Sequence, residues 1–208
     1  MKSPDKDAPV KRLIRKSEPS RAALDFFAEA GLLKHVKRSG WWVAGIKDPE
    51  SVAEHCFRCA VIGYYLARAE GADPYRVLLM TLFNDIHEAR INDLHKMGHY
   101  YIDFKAAEKE VFHDQMAPLL PSVKAELSAN RSEYEAQDSP EALIARDADI
   151  LECLLQAKEY YVRGHQTAKT FFQKAPDHLR TGTARRLWRR MKTWDSTKWW
   201  ENIVKFDR

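Results

Sequence analysis

The sequence predicts an all-α protein, and three observations carry that expectation. Glycine and proline number only eight and nine in 208 residues, too few for the turns of a β-rich fold. Apolar residues recur at helical spacing along most of the chain. Helix-start signals head several of these runs: Ser51-Val52-Ala53-Glu54, Asp73-Pro74 and Ser139-Pro140-Glu141. The length fits one domain with a sizeable core, and ordinary helix lengths divide it into about eight to ten helices in a single bundle.

Taken in order, residues 1–18 are charged, contain two prolines and read as a flexible N-terminal arm. Ser20 stands where it can cap a helix to about Leu33, with Leu24, Phe27, Ala28 and Leu32 at helical spacing. Gly40 marks a turn in residues 34–42, which set Arg38 close to Trp41 and Trp42. An arginine beside an aromatic suits a phosphate and a base; a tryptophan lid on the core is the alternative. The capping box at Ser51 opens a helix to about Ala69 with His55 in its first turn and Val52, Cys56, Cys59, Ala60, Gly63 and Leu66 on its buried stripe. Gly71 ends that helix, and Asp73 caps the next, predicted over residues 74–90. Residues 96–103 read as loop. Helical patterns resume over 104–120, 122–136 and 140–163, and a basic helix spans Thr183 to Lys192. Its arginines, followed by Trp194, Trp199 and Trp200, could bind nucleic acid; a solvated helix with tryptophans packed on the body is the preferred reading. No internal repeat, P-loop, G-x-G-x-x-G or G-x-S-x-G is present.

Charge and cysteine usage narrow the function classes. The 34 basic and 30 acidic side chains leave a net +4, which does not by itself imply nucleic acid. The charged start is no secretory signal, and no apolar run is long enough to span a membrane. Three cysteines, Cys56, Cys59 and Cys153, an odd count, point to reduced thiols and a cytoplasmic protein. Cys56 and Cys59 have the C-x-x-C spacing but lie inside a helical pattern without a partner pair, and read as core packing rather than zinc or redox chemistry.

The chemistry concentrates in residues 84–95. Asp85, Glu88, Asp93, His87, His95 and Arg90 follow the apolar run Val77–Phe83, and a buried helix does not end in such company without a reason. On a helix, Asp85 and Glu88 share a face, with Asp93 just beyond. Asp147 and Asp149 interrupt the apolar 140–163 helix, and a carboxylate there needs a partner or a metal. His55, Asp85 and Asp149 are residue types that hold a hydrolytic divalent metal, leaving Glu88 and Asp93 for proton transfer.

This order resembles the HD-domain superfamily of metal-dependent phosphohydrolases, and within it the 5'-deoxynucleotidases that cleave deoxynucleoside monophosphates. The matching pieces are Arg38–Trp41, Pro49–His55, the 84–94 stretch, Glu133–Glu135 and Asp149–Tyr160. They span roughly residues 20–165, so residues 19–165 form the expected HD domain and 166–208 a helical extension packed on it. The resemblance implies one divalent metal ion (Mn, Co, Mg, Zn, Ni or Fe) held by His55, Asp85 and Asp149, with Asn84 at the fourth ligand position. It implies Glu88 and Asp93 as the acids handling protons and water, Arg38 as the phosphate-binding arginine, Trp41 as a wall of the nucleotide pocket, and a homodimer. Two positions depart from the family. Asn84 stands where the family has histidine, and an amide is the poorer donor to a transition metal. His87 is the possible replacement ligand, or else a neighbour of the site. Asn92 stands where the family has glycine, a milder change because asparagine tolerates left-handed backbone angles. The expectation is a phosphohydrolase of (deoxy)nucleoside 5'-monophosphates. The alternatives are an HD-type nucleotide-binding or regulatory protein disarmed at Asn84, or an HD nucleoside triphosphate hydrolase.

Overall fold

The computed structural model describes residues 18–174, 176–201 and 203. The expected arm lies outside them except for Glu18. The described residues contain no strand, only an isolated antiparallel bridge between Lys37 and Ser51. Helices of ten residues or more are α1 (Pro19–Leu32), α3 (Val52–Glu70), α4 (Pro74–Phe83), α7 (Phe104–Met116), α8 (Pro121–Ala136), α9 (Pro140–Val162) and α11 (Gly182–Met191). Four short helices join them: α2 (Gly40–Val43), α5 (Glu88–Ile91), α6 (Lys96–His99) and α10 (Lys169–Lys174). Two of these, α2 and α6, occupy stretches expected to be loop.

The start signals act as their chemistry requires. Ser51 Oγ accepts the Glu54 amide at 3.2 Å while Glu54 Oε2 accepts the Ser51 amide at 2.6 Å, closing the capping box of α3. Gly71 ends α3 at φ 76°, Asp73 caps α4 and Ser139 caps α9. Helix α1 differs from expectation. Its cap is Glu18, whose carboxylate accepts the Ser20 and Arg21 amides; the Ser20 hydroxyl only donates to that carboxylate. Its inward face is Ala22 and Phe26, whereas Leu24, Phe27 and Leu32 are exposed. The helix carries two apolar stripes, and the one selected meets Ile86, Phe112 and Met116.

Helices α3, α4 and α9 pack on one another around Leu66, Val77, Met80, Ala148, Leu151 and Leu154. Helix α11 lays Ala184, Trp188 and Met191 on the same cluster and leaves Arg185, Arg186, Arg189 and Arg190 exposed. Asp147 is fully buried and accepts the amides of Arg180 and Thr181 at 2.8 and 2.7 Å. It anchors the entry to α11 and takes no part in the site. Cys56 and Cys59 are buried free thiols within the core clusters, and burial raises both well above the ordinary thiol range, so they pack rather than react. No helix among the described residues is long and apolar enough to cross a membrane.

The helix expected over 74–90 is two helices. Residues 84–87 form a turn, and Asp85, Ile86, His87 and Glu88 are all buried. Four successive residues of one helix point around its whole circumference. Here all four are buried where the chain leaves the helix, so no single helix face carries them. The crossing of α3 and α4, which carry or abut His55 and Asp85, is set by Gly63. A Cβ there would lie 2.9 Å from Val77 Cγ1 and 3.1 Å from Thr81 Cγ2. Gly63→Leu is expected to destabilise the chain by roughly 1–3 kcal/mol through overpacking, read as a lower thermal unfolding midpoint. An unchanged or higher midpoint would show that the crossing is not tight there.

Candidate active site

A short pairing of chain segments brings Arg38 to the head of α3. The Val52 amide donates to Val36 O at 2.8 Å and the Arg38 amide to Glu50 O at 3.0 Å. His55, in the first turn of α3, is buried. Its Nε2 lies 3.6 Å from Asp85 Oδ2, in the turn after α4, and 3.3 Å from Asp149 Oδ1, midway along α9. Arg38 Nη1 stands 3.7 Å from Asp85 Oδ2 and 3.8 Å from Asp93 Oδ1. Asp93 Oδ2 in turn accepts the Ser39 amide. Glu88 is buried with its Oε2 unpartnered. Arg38, His55, Asp85, Glu88, Asp93 and Asp149 thus converge from four stretches of the chain: the segment before α2, helix α3, residues 85–93 and helix α9.

The other expected site residues stand differently. Trp41 is buried, its Nε1 donating to Glu50 Oε1 at 2.9 Å and its ring 5.2 Å from that of Tyr160 and 4.7 Å from that of Phe171. It is a core ring packed on Tyr160 and Phe171 rather than an open pocket wall; Trp42 is the exposed one. Asn84, expected among the metal ligands, gives Nδ2 to Asp85 Oδ1 at 2.7 Å and so holds a carboxylate in place. His87 has Nδ1 3.1 Å from Asn84 O and Nε2 3.6 Å from Glu108 Oε1. Asn92 has φ 61° and ψ 167°, outside the left-handed helical region that asparagine tolerates and in one that suits glycine, at a cost of about 1–3 kcal/mol. The change from the family's glycine is therefore less mild than the sequence implies.

Residues not singled out from the sequence complete the site. Glu152 is fully buried, with Oε2 2.5 Å from His55 Nδ1. Its Oε1 accepts from Arg58 Nε at 2.9 Å and Nη2 at 2.7 Å, and Arg58 Nη1 also reaches Glu159 at 2.9 Å. Arg146 Nη1 donates to Asp149 Oδ2 at 2.9 Å. One signal was available in advance: Glu152 lies three residues from Asp149, the same spacing that joins Asp85 to Glu88.

Burial dominates the electrostatics. Burial and then the Asp85 and Asp93 carboxylates push Glu88 well above the usual carboxylate range. Burial likewise raises Asp149, but the His55 hydrogen bond and the His55, Arg146 and Arg38 charges outweigh it and hold Asp149 well below. Burial and Arg38 oppose protonation of His55; the hydrogen bonds to Asp149 and Glu152 prevail and raise it to about 10. Glu50, raised to about 7 by burial and then by Glu152, forms a second cluster of donor atoms with His55 and Glu152, all within 4.8 Å. Arg58 already holds the free oxygen of Glu152 there. The donor set His55 Nε2, Asp85 and Asp149 fits a divalent cation better. It faces a surplus of carboxylates over arginines, and the other imidazole nitrogen is already fixed.

The fold and this convergence define a class: an all-α bundle with a buried histidine–aspartate centre. The HD domain family matches residues 30–188. The 5'-deoxynucleotidase HDDC2 of Homo sapiens is 30% identical over 151 residues, covering 72% of this chain and 74% of that protein. The 5'-deoxynucleotidase HDDC2 of Dictyostelium discoideum is 32% identical over 151 residues, covering 69% and 80%. Among solved structures, a conserved hypothetical protein from Pyrococcus furiosus is similar with a TM-score of 0.68 and 28% identity, over 81% of this chain and 96% of that one. The chain belongs to the HD-domain family of metal-dependent phosphohydrolases and resembles its 5'-deoxynucleotidase branch.

The raised His55 sets a pH dependence. A proton held more tightly in the folded than in the unfolded chain stabilises the fold most below the unfolded value, ordinarily near 6.5. That contribution shrinks as pH rises from there and is gone above about 10. Denaturant unfolding in a chelator is expected to show stability falling over this window, with the fall much reduced in His55→Gln. An identical alkaline fall in both chains would remove His55 as its cause.

Proposed function

We propose that the chain removes phosphate from deoxynucleoside 5'-monophosphates, with one divalent metal ion as cofactor. The observation that supports this most directly is the convergence of His55 Nε2, Asp85 Oδ2 and Asp149 Oδ1 beside the Arg38 guanidinium. The substrate class follows the names of the relatives, which are 5'-deoxynucleotidases. His55, Asp85 and Asp149 would hold the ion; when bound, it acidifies water and offsets phosphoryl charge.

The remaining steps belong to side chains. Arg38 binds the phosphoryl oxygens and stabilises the charge that grows on them. Asp93, fixed by the Ser39 amide and facing Arg38, takes the proton of the attacking water. Glu88, whose burial beside Asp85 and Asp93 favours the protonated form, gives a proton to the leaving 5'-oxygen. The P–O5' bond breaks, and the products are a nucleoside and inorganic phosphate. Asn84 orients Asp85 and leaves three protein ligands where the family pattern has four.

The test is phosphate release from a panel of deoxynucleoside mono- and triphosphates with Mn, Co or Mg, on this chain and on Asn84→His. Release from monophosphates is expected in both, with the histidine variant needing less metal for half-maximal rate. Release from triphosphates instead would favour the triphosphate hydrolase, and silence in both would overturn the enzyme reading in favour of a binding protein. In an active chain, Glu88→Ala is expected to lower kcat much more than it changes KM; equal effects on both would argue against proton transfer by Glu88.

A further inference from the structure

We propose that Glu152, held by Arg58, is a positioning residue that fixes the tautomer of His55 and so decides whether the site can take a cation. His55 holds its second proton up to about pH 10, so taking a cation means giving up one of its two ring protons, and the neutral ring that remains has one protonated nitrogen and one lone pair. Glu152 Oε2 lies 2.5 Å from His55 Nδ1 and, as a carboxylate, can only accept. It keeps the proton on Nδ1. The Nε2 lone pair is then available to the space shared with Asp85 and Asp149.

Arg58 makes the arrangement directional. It is always a donor, and its Nε and Nη2 both point at Glu152 Oε1. Glu159, Gln156 and Glu50 surround the guanidinium, the last at 4.0 Å. One oxygen of Glu152 is therefore committed to Arg58 and the other to His55, with no freedom to exchange roles. A fully buried carboxylate with two cationic or donor neighbours is a large commitment for packing alone. The inference deepens the metal reading above and takes its functional meaning from it, but its test does not depend on activity.

Glu152→Gln keeps the shape and removes one acceptor. Arg58 will claim the amide oxygen, so the amide nitrogen faces His55 Nδ1 and donates to it. The imidazole proton must then sit on Nε2, where the lone pair was needed. Adding Arg58→Met frees the amide to turn. Its oxygen accepts from Nδ1 again, and its nitrogen meets Glu50 and Gln156.

The experiment is calorimetric titration of the chain with Co(II) alone, together with imidazole nitrogen NMR in which the His55 signal is assigned from His55→Gln. Glu152→Gln is expected to bind Co(II) about 10–100-fold more weakly, the range for outer partners of metal-bound histidines, and to lose the Nδ1–H signal. The double variant Glu152→Gln with Arg58→Met is expected to regain most of the affinity and the Nδ1–H signal. Unchanged affinity in Glu152→Gln overturns the proposal. So does a double variant weaker than the single one, as a merely structural role would give. Two ions per wild-type chain falling to one in Glu152→Gln would make Glu152 a ligand and overturn it too. A wild-type chain that binds no Co(II) would instead sink the metal reading, and the Nδ1–H signal would still decide this one.

Discussion

Carboxylates crowd the interior between α3, α4 and α9, and keeping them together is the constraint on which the structure depends. Glu50, the 85–93 stretch with Asp85, Glu88 and Asp93, and α9 with Asp149 and Glu152 bring six carboxylates together around one histidine. Water does not screen them there, so each needs a cation, a donor or a proton. Arg38, Arg58 and Arg146 answer three of the needs, backbone and asparagine N–H groups answer others, and Glu88 answers by favouring its neutral form. The turn at residues 84–87 lets Asp85, Ile86, His87 and Glu88 be buried one after another.

Much of this was legible in the sequence because it depends on short-range chemistry. The capping box at Ser51, the stop at Gly71 and the starts at Asp73 and Ser139 each involve atoms within a few residues. His55, Asp85, Glu88 and Asp149 were visible because polar side chains interrupt apolar helical patterns, Asp93 because it closes the polar stretch after Phe83, and Arg38 because it stands beside two tryptophans in a piece that matches the family. Tertiary choices were hidden. Nothing in the spacing of α1 says which of its two apolar stripes turns inward. Nor does the sequence say that Trp41 is buried and Trp42 exposed, which depends on the remote contacts of Trp41 with Tyr160 and Phe171. Asp147 and Asp149 look alike in sequence, yet one anchors the entry to α11 and the other faces His55. Glu152 and Arg58, 94 residues apart, become informative only once α3 and α9 are laid side by side.

Asn84 shows how a substitution at a site can be absorbed locally. A histidine there would offer a ring nitrogen; the shorter amide bonds to the neighbouring Asp85 carboxylate instead. His87 keeps its Nδ1 beside Asn84 O and Arg131, while its Nε2 lies 3.6 Å from Glu108 Oε1.

The site is also unevenly anchored. Asp149 and Glu152 lie in the middle of the 23-residue α9, whose flanking residues Ala148, Leu151 and Leu154 are core. Asp93 follows the four-residue α5 and precedes the four-residue α6, close to the highly exposed Tyr100 and Tyr101. Opening the α9 side requires dismantling the core, whereas the Asp93 side can fray while the rest stays folded. Amide exchange should therefore be slow behind His55 and fast around Asp93, giving the site one side that stays and one that breathes, and the second is where a small anion would enter and leave.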